Sequence, residues 1–130
     1  MLIPLFASIA PFLVWPIELI FPYPHVVEEL AKGFLVYFIL ESSGNKNKVI
    51  LTVLAGVFFA FSESVMYMSN MFLVGTLWTP IQRLLLTIPL HTITMLIILL
   101  SGIKKKAFLP LGLIAAMTLH YFFNLFVGNL

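Results

Sequence analysis

His91 and His120 lie in apolar stretches long enough to cross a membrane, and Glu28, Glu29 and Glu63 lie in two others. Imidazoles and carboxylates are side chains that take and return protons, activate water and hold divalent metals. At bilayer depth each ionisable group costs about 3 kcal/mol or more, so such groups persist there mainly where they face a protein interior or a wet cavity. Two histidines and three glutamates in so short a chain therefore point to one working site rather than to five isolated packing residues.

Helical spacing groups them with other polar residues. His120 and Asn124 are four residues apart and share a helix face, as do Glu28 and Lys32. Arg83, Thr87 and His91 repeat every four residues and make one polar stripe. Gly56, Ala60, Glu63, Tyr67 and Asn70 make a stripe of small and polar residues, and small residues let helices approach closely in lipid. Four such stripes can close around one pocket. His25 sits beside Pro24 at a helix start and reads as interfacial, as do the aromatic residues Trp15, Tyr23 and Trp78.

Composition dictates the solvent for these helices. The chain has 130 residues, 62% of them hydrophobic and 9% charged, whereas a soluble domain averages about 25% charged residues. So few charges cannot coat a water-facing surface, and the expected fold is an all-α integral membrane protein. About five transmembrane helices would surround a polar intramembrane cavity. They form a single transmembrane domain over residues 1–130, with spans near 2–21, 24–40, 49–69, 80–101 and 107–127. Pro4, Pro11 and Pro16 should disturb the first helix, and Pro24 suits the first turn of the second. The Met1–Pro4 start has no basic run of the kind that opens a signal peptide, so the first span is expected to be retained. The chain has no cysteine, which excludes disulfides and thiolate metal sites.

Charge sets the expected orientation. Lys46 and Lys48 fall in one loop, and Lys104, Lys105 and Lys106 in another on the same side. By the positive-inside tendency that side is cytoplasmic. The protein is then a multi-pass component of the cytoplasmic membrane, with its N-terminus inside and its C-terminus outside. The net charge of +2 comes from these loop lysines and does not indicate nucleic acid. Measured at 1.5 Å per residue from the outer helix ends, Glu28 and Glu29 lie roughly 6–8 Å deep and Glu63 about 9 Å deep. On the same scale His120 lies about 11 Å deep and His91 about 16 Å deep. Matched depth on four helices is the condition for a shared site.

These residues carry a resemblance. Glu28-Glu29-Leu30-Ala31-Lys32 is similar to the paired-glutamate motif, followed by a basic residue, of the PrsW family of intramembrane proteases. The run from Gly56 to Glu63 and Tyr67 resembles that family's Gly-to-Glu motif on a central helix. Arg83 to Pro89-Leu90-His91 resembles its Arg-to-Pro-x-His motif, and His120 to Asn124 its final His-x-x-x-Asn motif. All four occur in family order over residues 28–124. The family is related to CAAX prenyl-protein proteases, to bacteriocin-processing membrane proteins and to a scaffold subunit of gamma-secretase. The resemblance implies a helical membrane fold with a polar cavity, and hydrolysis of a peptide bond in a membrane-anchored protein such as an anti-sigma factor.

Amide hydrolysis needs an activated water, a stabilised oxyanion and a proton for the leaving amine. The expected catalytic residues are Glu28, Glu29, His91, His120 and Asn124, with Lys32, Glu63 and Arg83 in support. Glu28 or Glu29 would be the general base, and only one should face the cavity, because adjacent helix positions point about 100° apart. His91 would share the water, and His120 and Asn124 would donate to the oxyanion. A zinc-dependent version is equally compatible. Catalytic zinc takes three protein ligands and one open position, which His91, His120 and Glu63, or one of the paired glutamates, would supply. The partners expected are lipids and a membrane-anchored protein substrate, with an oligomer or partner subunits open. Two other functions fit the same residues: a proton-coupled transport subunit, and a non-catalytic scaffold or accessory subunit.

Overall fold

The computed structural model describes residues 2–42, 47–71 and 78–127; of the helical side chains, those of 69–71, 78–80 and 83 lie outside the described residues. Lys46, Gly75 and the side chains of Asn70, Trp78 and Arg83 therefore fall outside them too.

Five α-helices account for almost all of the described residues: α1 (Leu2–Glu18), α2 (Pro24–Glu41), α3 (Lys48–Met71), α4 (Trp78–Gly102) and α5 (Leu109–Val127). A 3-10 turn, Lys106–Phe108, leads into α5, and no strand occurs among the described residues. The protein is an all-α membrane protein. Three stretches, Lys48–Met68, Leu84–Gly102 and Lys106–Val127, are long and apolar enough to cross a bilayer. α1 is a shorter apolar helix with Pro11 and Pro16 inside it. α2 has 18 residues, but its N-terminal half carries Glu28, Glu29 and Lys32, so it does not read as a plain apolar span.

Large apolar side chains point outward all around the bundle, as Leu13, Phe34 and Leu85 do, each more than 60% exposed. Polar and charged residues, among them Glu29, Lys32 and His91, are completely covered. This inversion of the soluble pattern is what a lipid solvent demands.

α3 packs between α1 and α4, α4 packs between α3 and α5, and α2 lies across α1, α4 and α5. The interior divides into two layers along the helix axes. Toward the end that carries the lysine loops, Val36 and Ile39 of α2 meet Ala55 and Phe59 of α3, with Met95, Ile98 and Leu99 of α4 and Ala116 of α5. Toward the other end the buried residues turn polar: Glu28, Glu29 and Lys32 of α2, Glu63 and Ser64 of α3, Thr87 and His91 of α4, and His120 of α5. The apolar layer fixes the helices, and the polar layer uses the positions they set.

The lysine end is tied by side chains. Lys106 pairs with Glu41 at the end of α2 and lies over the Tyr37 ring, 5.4 Å from its centroid. Lys48 donates to the Leu40 carbonyl at 2.9 Å. Together they stitch the α2–α3 and α4–α5 connections into one face.

One glycine sets the distance between α3 and α4. A Cβ at Gly56 would stand 2.7 Å from the Thr92 Cα and 3.2 Å from the His91 carbonyl oxygen, so only a bare Cα lets the two backbones meet here. At Gly33 an added Cβ would meet only the Leu113 side chain, which can move. Gly56→Ala is therefore expected to destabilise the bundle by about 1–3 kcal/mol through overpacking. Gly33→Ala should cost under about 1 kcal/mol, since alanine also gains helix propensity. Thermal unfolding of both variants in detergent checks this, and equal melting temperatures would refute the close-approach argument.

Candidate active site

Four helices deliver the polar layer. α2 begins at Pro24, whose fixed φ and missing N–H suit a first turn. The next turn brings Glu28 and Glu29 inward together, one 4% exposed and the other fully covered. α3 contributes Glu63 and Ser64, seven and eight residues beyond the Gly56 contact. α4 contributes Thr87 and His91 across Pro89, which has no N–H to offer the Leu85 carbonyl. α5 contributes His120, with Asn124 one turn further along.

The side chains converge. The rings of His91 and His120 stand perpendicular with centroids 5.3 Å apart. Glu28, His91 and His120 each offer one donor atom, and the three atoms lie within 4.8 Å of one another. Glu63 Oε2 meets His91 Nε2 at 2.5 Å. Glu29 Oε1 accepts from Lys32 Nζ at 2.5 Å and lies 2.8 Å from His120 Nδ1. Lys32 Nζ also donates to Thr94 Oγ1 at 3.4 Å and lies 5.1 Å from the centroid of the Phe59 ring. The Phe59 ring in turn packs against His91 at 5.3 Å. Ser64 and Thr87 share a hydrogen bond of 3.3 Å between α3 and α4.

A cavity of about 260 Å³ opens beside this cluster. Glu28, Glu63, Tyr67, Thr87, His120 and Asn124 line its polar side. Pro24 and Val127, at the start of α2 and the end of α5, line it as well, so it reaches toward the end opposite the lysine loops. Glu29 and His91 do not border it. Of the two adjacent glutamates, then, Glu28 faces the open space and Glu29 faces Lys32 and His120.

The expected residues Glu28, Glu29, Lys32, Glu63, His91, His120 and Asn124 all fall in this region, while the Arg83 side chain lies outside the described residues. Spacing puts Lys32 on one face with Glu28, and Glu29 is the other partner the sequence offers; the ammonium goes to Glu29, three residues earlier, while Glu28 turns to the cavity. Three neighbours were not anticipated. Thr94 holds Lys32 and is itself one turn from His91, a spacing that could have revealed it. Phe59 stacks between Lys32 and His91. His25, read as interfacial, has its ring 6.0 Å from that of His120 and 5.7 Å from that of Tyr121.

The donor set suits a divalent metal. Two imidazoles and one carboxylate are a ligand set found in catalytic zinc sites, which keep a fourth position open. Glu28 Oε2 is buried with no hydrogen-bond partner among the described residues. It stands 3.8 Å from His120 Nε2, too far for a hydrogen bond and near enough for both atoms to reach one ion. The cavity beside Glu28 and His120 leaves room for the open position.

The class these features define is a helical membrane bundle that gathers imidazoles and carboxylates beside a polar cavity, groups able to activate water or hold a metal. Residues 19–130, which include α2 to α5 and every residue of the cluster, match the family described as PrsW family intramembrane metalloprotease. The chain belongs to the PrsW family. No curated protein and no solved structure matches it.

The buried Glu29–Lys32 pair yields a stability prediction. Lys32→Met leaves the fully covered Glu29 carboxylate without its cation, and breaking a buried pair costs about 3–5 kcal/mol. Adding Glu29→Gln removes the stranded charge and should restore much of that loss. Unfolding measurements in detergent on the single and double variants check this. A double variant no more stable than Lys32→Met would contradict it.

Proposed function

We propose that this protein is an intramembrane peptidase that hydrolyses a peptide bond of a membrane-associated protein at the Glu28–His91–His120 cluster. The observation that carries this reading is the convergence of three donor atoms from α2, α4 and α5 beside a polar cavity. Family membership supports it independently.

In this reading Glu28, His91 and His120 hold a divalent metal, with zinc favoured by the donor set. When bound, the metal supplies Lewis acidity and makes a water molecule acidic near neutral pH. Glu63 borders the cavity alongside Glu28 and is the carboxylate placed to accept the proton of the attacking water and return it to the leaving amine. Asn124, one turn beyond His120 on the cavity wall, offers an amide N–H to the scissile carbonyl oxygen. The buried layer of Phe59 and His91 below the cavity keeps bulk water from passing through. A substrate enters from the end near Pro24 and Val127 and must be extended there, because 260 Å³ accommodates a few residues and no packed helix.

Reconstituted protein with a membrane-anchored reporter peptide tests the reading. Glu28→Gln, His91→Ala and His120→Ala are each expected to lower cleavage by about a hundredfold or more. The same substitutions should reduce the zinc retained after purification. Undiminished cleavage by all three variants, or proton flux without cleavage, would refute the peptidase.

The positive-inside tendency supports placing the lysine end in the cytoplasm, which puts the cavity mouth on the outer side. Because the native sequence has no cysteine, single introduced thiols report this cleanly. Pro22→Cys should react with a membrane-impermeant maleimide in intact cells, and Lys105→Cys only after the membrane is opened. The reverse pattern would invert the orientation.

A further inference from the structure

The two glutamates of α2 have different surroundings, and the difference assigns a role to the one that does not border the cavity. Glu29 is fully covered, and its Oε1 is contacted by both Lys32 Nζ and His120 Nδ1, at 2.5 and 2.8 Å. Lys32 is also fully covered and has a second partner on α4, Thr94. A carboxylate ion-paired with a lysine only accepts hydrogen bonds, so the imidazole nitrogen beside it must carry the hydrogen. A neutral imidazole has one N–H, which leaves the lone pair on Nε2. Nε2 is the atom of His120 that faces Glu28 Oε2 across 3.8 Å.

We propose that Glu29 and Lys32 are positioning residues that hold His120 as its Nδ1–H tautomer, so that Nε2 points its lone pair at the Glu28 side of the cavity. This rests on the reading of His120 as a site residue and deepens it. Carboxylates that fix the far nitrogen of a ligating histidine set both its tautomer and its ring orientation. Here the carboxylate is itself held by a lysine whose second anchor is a different helix. The tether therefore ties His120 on α5 to α2 and α4 at one point, and Thr94 stops Lys32 from following Glu29 if that side chain turns. Glu28 and Glu29, adjacent in sequence, divide the work: one faces the reaction space and the other orients a neighbour.

The tautomer can be read directly in the native protein. The full chain, labelled with nitrogen-15 in the histidine rings and reconstituted in lipid, is examined by NMR without metal or substrate. His25→Gln and His91→Gln variants assign the signals. The expected result is a protonated Nδ1 and an unprotonated Nε2 for His120. A hydrogen on Nε2 would overturn the proposal. The size-matched neutral variant Glu29→Gln/Lys32→Met should lose this preference and bind added zinc about 10–100-fold more weakly. An unchanged tautomer and unchanged zinc affinity in that variant would also overturn it. If the double variant fails to fold, the wild-type spectrum alone decides. Because that spectrum is taken without substrate, it stands or falls separately from the peptidase reading, which the reporter assay decides.

Discussion

A lysine and a glutamate with no access to solvent, 2.5 Å apart, are the constraint around which the polar half of this bundle is arranged. Lipid offers no hydrogen bonds and no screening, so an uncompensated charge there is costly. Lys32 has three donor hydrogens, and the structure gives it Glu29, Thr94 and the face of Phe59. Glu29 has a further neighbour in His120. Each of these partners sits on a different helix. The pair can be satisfied only if α2, α3, α4 and α5 keep their relative rotation, which means that one ionic contact specifies the geometry of four helices.

That requirement explains why polar and apolar layers are segregated along the helix axes. In lipid, apolar side chains gain little by leaving the acyl chains for a protein interior, so close packing and polar contacts must hold the helices together. Near the lysine loops, shape does this through Ile39, Phe59, Ile98 and Leu99. Gly56 brings the α3 and α4 backbones into contact beside His91. Beyond it the same two helices are joined by Ser64 and Thr87, and by Glu63 with His91. A tight backbone crossing next to a group of ionisable residues fixes their separation, because the side chains extend from a point that cannot shift.

Much of this was legible in the sequence, and what was not has a physical cause. Low charge and long apolar runs implied lipid as solvent, and depth counting from the helix ends put Glu28, Glu29, Glu63, His91 and His120 in one half of the membrane or near its middle. Helical periodicity placed His120 and Asn124 on one face, and both line the cavity. The rotation of α2 was not legible. Glu28 and Glu29 are neighbours of the same type, and which one meets the cavity depends on an angle that only packing against α4 and α5 determines. The partner of Lys32 follows from that angle. Thr94 and Phe59 were hidden because a threonine and a phenylalanine in an apolar helix carry no charge signal, and they matter only through what lies across from them. His25 was read from its neighbours in sequence, two prolines and a tyrosine, whereas its relevant neighbour is on α5, 95 positions away in sequence.

The same distances bear on which carboxylate completes the His91–His120 set. Sequence favoured Glu63, and the paired glutamates were the alternatives. Glu63 Oε2 lies against His91 Nε2 at 2.5 Å, so that nitrogen already has an acidic neighbour. An oxygen already held against that imidazole is less available as a third donor toward an ion, and a carboxylate so placed can still exchange a proton. Glu29 is similarly committed, to Lys32 and His120 Nδ1. Glu28 differs from Glu29 in bordering the cavity and from Glu63 in facing His120, its Oε2 3.8 Å from Nε2 and, among the described residues, buried without a hydrogen bond. A buried oxygen left in that state costs about 1–3 kcal/mol, more when charged. A group that carries such a cost without a hydrogen bond among the described residues is expected to gain a partner, such as an ion or a water. Each histidine thus has a carboxylate against it, Glu29 at His120 and Glu63 at His91, and Glu28 is the acidic group beside both that borders the cavity without an ammonium held against it.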